Sequence, residues 1–373
     1  MKWEIAKLGK IAIIRTGKLD SNAAVIGGRY PFFTCDPNTL SIDVWAYDTE
    51  AVLLAGNNAS GNYTAKYYKG KFNAYQRTYI IESANEEELN IRYLCYALNQ
   101  QLRLLKMMSS GSTTKFLTVR MLDNLDIPLF GINIQTQIVN ILSAYDDLIE
   151  NNQKQIKLLE EAAQRFYKEW FVDLHFPGHE NTKIVDGVPE GWNEKTLSQV
   201  ANVIMGQSPK SEFYNSEKKG LPFHQGVGSY GVRFVMDDIY STSYTRIAEP
   251  NSILFSVRAP VGRLNITKNK VVIGRGLAAI NQADGCQSYL YYLLKNRFFK
   301  DNIVGNGSIF ASVSKDELLN QKFLIPERNL MMQFEKIVSQ MDKQIENLDS
   351  KNKKLIEARD RLLPKLMSGE VEV

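Results

Sequence analysis

Few residues of this chain are of a kind, or at a spacing, that makes and breaks bonds. Cys35, Cys95 and Cys286 are scattered without a C-x-x-C pair, and they share no cluster with His175 and His179 or with the isolated His224. That pattern argues against structural zinc and against a disulfide framework. Gly17-Lys18 is followed by Leu19 and Gly70-Lys71 by Phe72, so the G-x-x-x-x-G-K-[ST] phosphate loop is missing. No nucleophile or metal constellation emerges, and the expectation is a chain with no catalytic residue and no metal. The polar chemistry sits instead on glycine-bearing loops: Gly56-Asn57-Asn58-Ala59-Ser60-Gly61 in the first half, and Ser256-Val257-Arg258-Ala259-Pro260-Val261-Gly262-Arg263 in the second. These side chains can donate, accept and carry charge.

Two long stretches must position those loops. Apolar residues recur at 4,3 spacing through Ile138, Leu142, Tyr145, Ile149, Asn152, Ile156, Leu159, Ala163, Phe166 and Trp170. They recur again through Phe334, Val338, Met341, Ile345, Leu348, Asn352, Leu355, Arg359, Leu362 and Leu366. A sustained a/d stripe flanked by Lys and Glu is a coiled-coil seam. Each helix would be roughly 50 Å long at 1.5 Å per residue. The stretches also repeat one another: Asp146, Ile149, Glu150, Asn151, Leu159, Ala162 and Arg165 recur as Asp342, Ile345, Glu346, Asn347, Leu355, Ala358 and Arg361.

The repeat extends to the rest of the chain, which reads as a globular part plus a helix, duplicated. Trp3, Leu8 and Gly17 answer Trp192, Leu197 and Gly206, in segments that read as short strands ending at a glycine. Tyr30-Pro31-Phe32 answers Leu221-Pro222-Phe223, and Val52-Leu53-Leu54 answers Ile253-Leu254-Phe255, all β-prone runs. Tyr75-Gln76-Arg77 answers Gly274-Arg275-Gly276, which sets Arg77 and Arg275 in equivalent places. A helix follows in each half, around Tyr93-Leu94-Cys95-Tyr96 and Tyr289-Leu290-Tyr291-Tyr292, then a Gly-Ser element at Gly111-Ser112 and Gly307-Ser308. Ile127-Pro128 and Ile325-Pro326 mark the entries to the long helices, since a residue before proline leaves the helical region. Phe176-Pro177-Gly178 through Gly191 reads as a linker, and Met367 to Val373 as a fraying end.

Composition bounds the class. A chain of 373 residues with 44% hydrophobic and 23% charged residues is globular, with room for two or three domains. A net charge of +4 is only a mild lean toward anionic partners. No apolar run is long enough to cross a bilayer, and three scattered cysteines suit a reducing compartment, so a cytoplasmic protein without a membrane role is expected.

In their order and duplication, Gly191-Trp192 with Leu197, Ile273-Gly274-Arg275-Gly276, the Ile-Pro entries and the helices with Asp146 and Asp342 resemble the specificity subunit of Type I restriction-modification systems. The resemblance covers nearly the whole chain. It implies an α+β fold: two similar globular target-recognition domains and two long antiparallel coiled-coil helices, with a pseudo-twofold internal repeat. The parts would be target-recognition domain 1 (1–128), a central conserved helix (129–175), a linker (176–191), target-recognition domain 2 (192–326) and a C-terminal conserved helix (327–373). In that family the subunit is non-catalytic and binds a bipartite double-stranded DNA site, one half per domain. Two methyltransferase subunits and restriction (translocase) subunits assemble on it, so S-adenosylmethionine, ATP and magnesium are expected on those partners. The chain also lacks the Asn-Pro-Pro-[Tyr/Phe] run of an adenine methyltransferase.

Base edges are read by Arg, Lys, Asn and Gln, and phosphates by Lys, Arg, Ser and Thr. On that basis the candidate DNA-binding residues are Lys18, Asn57, Asn58, Lys66, Arg77 and Lys115 in the first domain. In the second they are Gln207, Lys210, His224, Gln225, Arg258, Arg263 and Arg275, with burial as the competing reading of His224. A protein-interaction scaffold on a helical hairpin, without DNA, is the alternative; a nuclease or methyltransferase acting alone would need a constellation the sequence lacks. An antiparallel register that sets Leu142 against Leu362, Ile149 against Leu355, Ile156 against Leu348, Leu159 against Ile345, Phe166 against Val338 and Trp170 against Phe334 is apolar throughout. It also pairs Asn152 with Asn352, whereas a parallel pairing would set each against an apolar residue at about 1–3 kcal/mol. The same register faces Arg359 toward Tyr145.

Overall fold

The computed structural model describes residues 3–58, 61–109, 115–298 and 312–373. The Gly111-Ser112 and Gly307-Ser308 elements, and Ala59-Ser60 of the first polar loop, lie outside the described residues. The chain divides into two compact units, Met1–Gln153 with Ser350–Val373, and Lys154–Asp349. The long helices span Ile132–Phe171 and Arg328–Met367, and each unit takes a part of both.

The first unit opens with strand Trp3–Lys7, antiparallel to Asp126–Phe130. The expected strand from Leu8 is instead a single helical turn, Leu8–Ile11, followed by strand Ala12–Thr16. Leu8 and Ile11, three apart, both point into the core from that turn, a spacing that suits a helix and not a strand. A six-stranded sheet follows in the order Ala12–Thr16, Thr78–Ser83, Tyr47–Ala55, Ala65–Ala74, Tyr30–Phe33, Leu40–Ile42. Helix Ile91–Met108 packs on it through Tyr93, Leu94 and Leu98, capped by the Asn90 side chain on Tyr93 N–H (3.1 Å).

The second unit repeats the scheme with shorter strands. Asn193–Thr196 pairs with Lys322–Ile325, the turn Leu197–Val200 leads to Ala201–Met205, and helix Gln287–Phe298 covers the sheet. Here the strands form a four-stranded and a five-stranded sheet. One cause is an interruption. Where the first unit runs unbroken through Tyr47–Ala55, the second has Ile247–Ala248 and Ile253–Ser256 separated by Glu249-Pro250-Asn251-Ser252. Pro250 has no N–H to donate, and Asn251 takes a left-handed conformation (φ 64°). The expected linker holds a small hairpin, Ile184–Val185 with Val188–Pro189, and the tail does not fray: Val371 and Val373 pack against the core beside Leu366 and Met367.

Within each unit the helices run antiparallel, and every seam position is buried or half-buried. Leu142 and Leu362 share the first unit's core, Ile156, Leu159, Ile345 and Leu348 share one cluster in the second, and Phe166 stacks on Phe334 at 5.7 Å. Asn152 Nδ2 donates to Asn352 Oδ1 (2.7 Å), and Asn352 Nδ2 reaches Ile149 O (3.4 Å). Arg359 does not stack on Tyr145. A full positive charge so near the seam takes the neighbouring carboxylate instead, and Arg359 Nη1 donates to Asp146 Oδ1 (2.6 Å).

One aspartate per unit ties these helices to the globular part. The Tyr96 hydroxyl donates to Asp146 in the first unit. Its repeat equivalent Tyr292 donates to Asp342 (3.4 Å) in the second. Arg233, only 2% exposed, completes the second junction with Asp342 (2.5 Å), Glu160 (3.4 Å) and the Tyr291 ring 3.8 Å away.

The asparagine layer gives a direct test. Asn352→Leu strands the buried Asn152 amide and should destabilise by about 1–3 kcal/mol in denaturant unfolding, whereas Asn152→Leu with Asn352→Leu should return to wild-type stability or above. Equal losses in the single and double variants would show that the amides do not stabilise one another.

Candidate nucleic-acid interface

Strand ends in each unit gather into a polar ledge, and the same backbone hydrogen bonds hold both. In the first unit Gly17 N–H donates to Thr78 O (3.1 Å), Tyr75 N–H to Phe33 O (2.9 Å) and Gly56 N–H to Arg77 O (2.8 Å). In the second, Gly206 N–H donates to Leu277 O (2.9 Å), Gly274 N–H to His224 O (2.8 Å) and Val257 N–H to Gly276 O (2.9 Å). The matching glycines are required by space: a Cβ on Gly17 would lie 2.1 Å from Ala74 O, and one on Gly206 2.1 Å from Gly274 O.

These bonds define residue equivalence better than the sequence match does. Lys18 corresponds to Gln207, Asn57 to Arg258, and Phe33 to His224. The expected equivalence of Arg77 and Arg275 is off by one. Thr78 and Leu277, which accept from the ledge glycines, anchor the count, so Arg77 answers Gly276 and Arg275 answers Gln76. Gln76, exposed on the ledge, was therefore missed although it lies inside the Tyr75-Gln76-Arg77 match.

Most of the first unit's candidates meet here. Lys18 and Arg77 are exposed, and Asn57 and Asn58 pair with Phe116 and Lys115 in a two-residue ladder joined to the ledge by Leu117 N–H on Gly56 O (2.8 Å). Lys66 is placed differently. Its amine donates to Asp36 O (3.3 Å) and Thr39 Oγ1 (3.1 Å), and burial lowers its pKa while Asp36 acts the other way. It fastens a loop of its own unit.

In the second unit Gln207, Gln225, Arg258 and Arg275 are exposed side by side. The Ser208 hydroxyl donates to Gln225 Oε1 (3.0 Å) and accepts Arg275 N–H (3.1 Å), which locks three segments together. Lys210 is exposed at the start of the turn Ser211–Phe213. Arg263 is exposed at the rim of a 400 Å³ cavity that also takes in Glu160, Tyr291 and Lys295. His224 is removed from the DNA-contact candidates: its side chain is fully buried, with Nδ1 2.8 Å from Ser229 Oγ and Nε2 3.1 Å from Asp237 Oδ1. Both ring nitrogens are satisfied inside the fold.

The two buried cysteines are not set up as nucleophiles. Burial pushes the Cys95 thiol up to about 12 and the Cys286 thiol up to about 11, so neither supplies a thiolate nucleophile. No group of His, Cys, Asp and Glu among the described residues could hold a metal ion, and no described helix is long and apolar enough to cross a membrane.

Residues 1–161 and 189–358 match the model of the Type I restriction modification DNA specificity domain. The chain is 30% identical over 316 residues to a specificity subunit assigned to the type I restriction enzyme MjaX of Methanocaldococcus jannaschii, covering 82% of this chain and 74% of that one. It is 23% identical over 404 aligned positions to the type I restriction enzyme MjaVIII specificity subunit of the same organism, covering 100% of this chain and 93% of that one. The fold is similar to the crystal structure of a Type-I restriction-modification system S subunit from M. genitalium, with a TM-score of 0.62 at 19% identity over 98% of this chain and 96% of that one.

Tight packing behind the ledge predicts that Gly206→Ala, which must displace a backbone carbonyl, costs about 1–3 kcal/mol in thermal unfolding. Gly228→Ala, with nothing near the added carbon, should stay within about 0.5 kcal/mol of wild type. A neutral Gly206→Ala would show that the ledge tolerates movement.

Proposed function

Because this chain belongs to the Type I restriction modification DNA specificity family, we propose that it reads a bipartite double-stranded DNA target, with residues 1–128 taking one half and 192–326 the other. It is a specificity subunit, itself non-catalytic, of a complex with other subunits. The observation that carries the reading is the pair of ledges. Their backbone hydrogen bonds are the same, while their side chains differ at each matched position: Lys18 against Gln207, Asn57 against Arg258, Gln76 against Arg275. A purely structural surface has no need to vary in donors and acceptors on a constant frame. A pair of readers does, because each half-target presents different base edges.

The partners follow from the duplication. Two equivalent copies of globular part plus helix offer two equivalent surfaces, so two methyltransferase subunits dock per chain and restriction (translocase) subunits join them. S-adenosylmethionine, ATP and magnesium are carried by those partners.

Replacing residues 190–326 with the same segment of a relative should change one half of the target and leave the other. The measurement is sequencing of methylated adenines in cells carrying the full system, and a change in both halves would contradict independent reading. Native mass spectrometry of the co-expressed methyltransferase complex should give two methyltransferase copies per chain; one copy at saturation would sink the two-surface assembly.

A further inference from the structure

Beside each ledge lies a loop that holds none of the candidate residues. In the second unit it links Tyr240–Ser241 to Ile247–Ala248, and two anchors hold it. The Thr245 hydroxyl donates to Gln207 O, and Ile273 N–H donates to Arg246 O (2.9 Å). Gln207 is a ledge residue, and Ile273 stands two before Arg275, so Tyr244 and Arg246 flank a residue fastened to the ledge itself. Tyr244 is 52% exposed and Arg246 is exposed.

The first unit builds the same loop. Pro31 pairs with Ser41 as Pro222 pairs with Tyr240, so the residues after Ile42 answer those after Ser241. This loop too is pinned, by Asn73 Nδ2 on Val44 O (3.2 Å) and Ala46 N–H on Phe72 O (3.0 Å). It presents Trp45, 45% exposed, with the Lys71 ammonium 4.7 Å from the ring centroid. Both units therefore put an exposed aromatic ring on this loop with a cation close by, Arg246 on the loop itself in the second unit and Lys71 on the adjoining strand Ala65–Ala74 in the first, on surfaces that otherwise diverge. Two neighbouring cations of the first unit's sheet are instead matched by acids, Arg15 by Glu82 and Lys69 by Glu50.

A ring and a cation together suit a nucleic acid: the ring contacts a base face or a thymine methyl, and arginine pairs with the O6 and N7 of guanine. A phosphate contact alone would need no ring. Continuity with the ledge favours DNA over a protein partner. We propose that this loop is a second DNA-reading element in each unit, Trp45 with Lys71 in one and Tyr244 with Arg246 in the other, and that Arg246 reads a guanine in the half-target of the second unit. The inference rests on the DNA-reading function above.

The test uses the assembled methyltransferase complex with Arg246→Ala and, separately, Trp45→Phe. Sequencing of methylated adenines should show Arg246→Ala losing discrimination at one G·C pair of the second unit's half-target, roughly tenfold or more, with the other half unchanged. Titration with cognate duplex should quench a tryptophan signal that Trp45→Phe removes, while anisotropy of the labelled duplex reports binding in the same sample. Trp170 and Trp192 are buried, and Trp3, 43% exposed, stays in the Trp45→Phe variant, so the difference in quenching between wild type and variant isolates Trp45. If Arg246→Ala instead weakens cognate and mismatched duplexes equally and lowers the salt slope by about one, it is a phosphate contact and the inference falls. Loss of a methyltransferase copy would assign the loop to a protein partner and overturn it too, as would duplex binding with an unquenched Trp45. A wild-type complex that binds no duplex would sink the DNA-reading function itself, a separate outcome.

Discussion

A carboxylate held at a helix junction must be matched by donors, and each unit of this chain is assembled around one such group. Asp146 and Asp342 occupy the same place in the repeat and accept from the equivalent hydroxyls of Tyr96 and Tyr292, which tie the covering helix to the long one. The cation that completes each junction comes from a different part of the chain. In the first unit Arg359 supplies it from the second long helix, and the repeat equivalent of Arg359 is Ala163, which supplies nothing. The second unit brings in Arg233 from its globular part. Arg233 is buried, and removing a partner from a buried charge set costs about 3–5 kcal/mol, so the second junction cannot lose its cation cheaply; the part-exposed Arg359–Asp146 pair contributes less, and the duplicated halves met one constraint in two ways.

The ledges depend on those junctions through the core between them. Tyr93 and Tyr289, on the covering helices, are buried in the same clusters as the strands that end at the ledge and the long-helix residues Leu142 and Phe334. A ledge on such a core needs little from its own side chains for stability. Gly17 and Gly206 must stay small because carbonyls pass 2.1 Å from where a Cβ would be, but Lys18, Asn57 and Gln76 can become Gln207, Arg258 and Arg275 without touching the frame. Separation of frame from exposed side chains lets one fold carry two different surfaces.

How much of this was legible in the sequence follows from which forces act locally. The seams were readable because 4,3 spacing is a local signal, and the Asn152–Asn352 layer because an antiparallel register leaves those amides no better partner. The runs at Tyr30, Val52, Leu221 and Ile253 declared themselves through β-branched and aromatic residues. Leu8–Ile11 was misjudged because four residues are too few to separate a helical turn from a strand end. Candidate residues were chosen by type, and type does not encode distance. Nothing local distinguishes the exposed Gln225 from its neighbour His224, which Asp237 and Ser229 hold inside, or Lys18 from Lys66, whose amine Asp36 and Thr39 occupy. The one-residue error at Arg77 has another origin, since the match of Tyr75-Gln76-Arg77 with Gly274-Arg275-Gly276, taken in order, already sets Gln76 against Arg275.

Net charge was a poor guide for a related reason. Forty-five basic against forty-one acidic side chains is close to balance, yet that balance is not uniform. On the helices and junctions the charges cancel in pairs: Arg92 with Asp147, Lys268 with Asp349, Arg361 with Glu357, Arg359 with Asp146. Pairing there consumes acids. At the ledges Lys18, Arg77, Arg258 and Arg275 are exposed. A polyanion approaching the protein responds to such local excess within about 10 Å at 0.1 M salt, not to the sum over the chain. A nearly neutral protein can therefore still present exposed cations at both ledges.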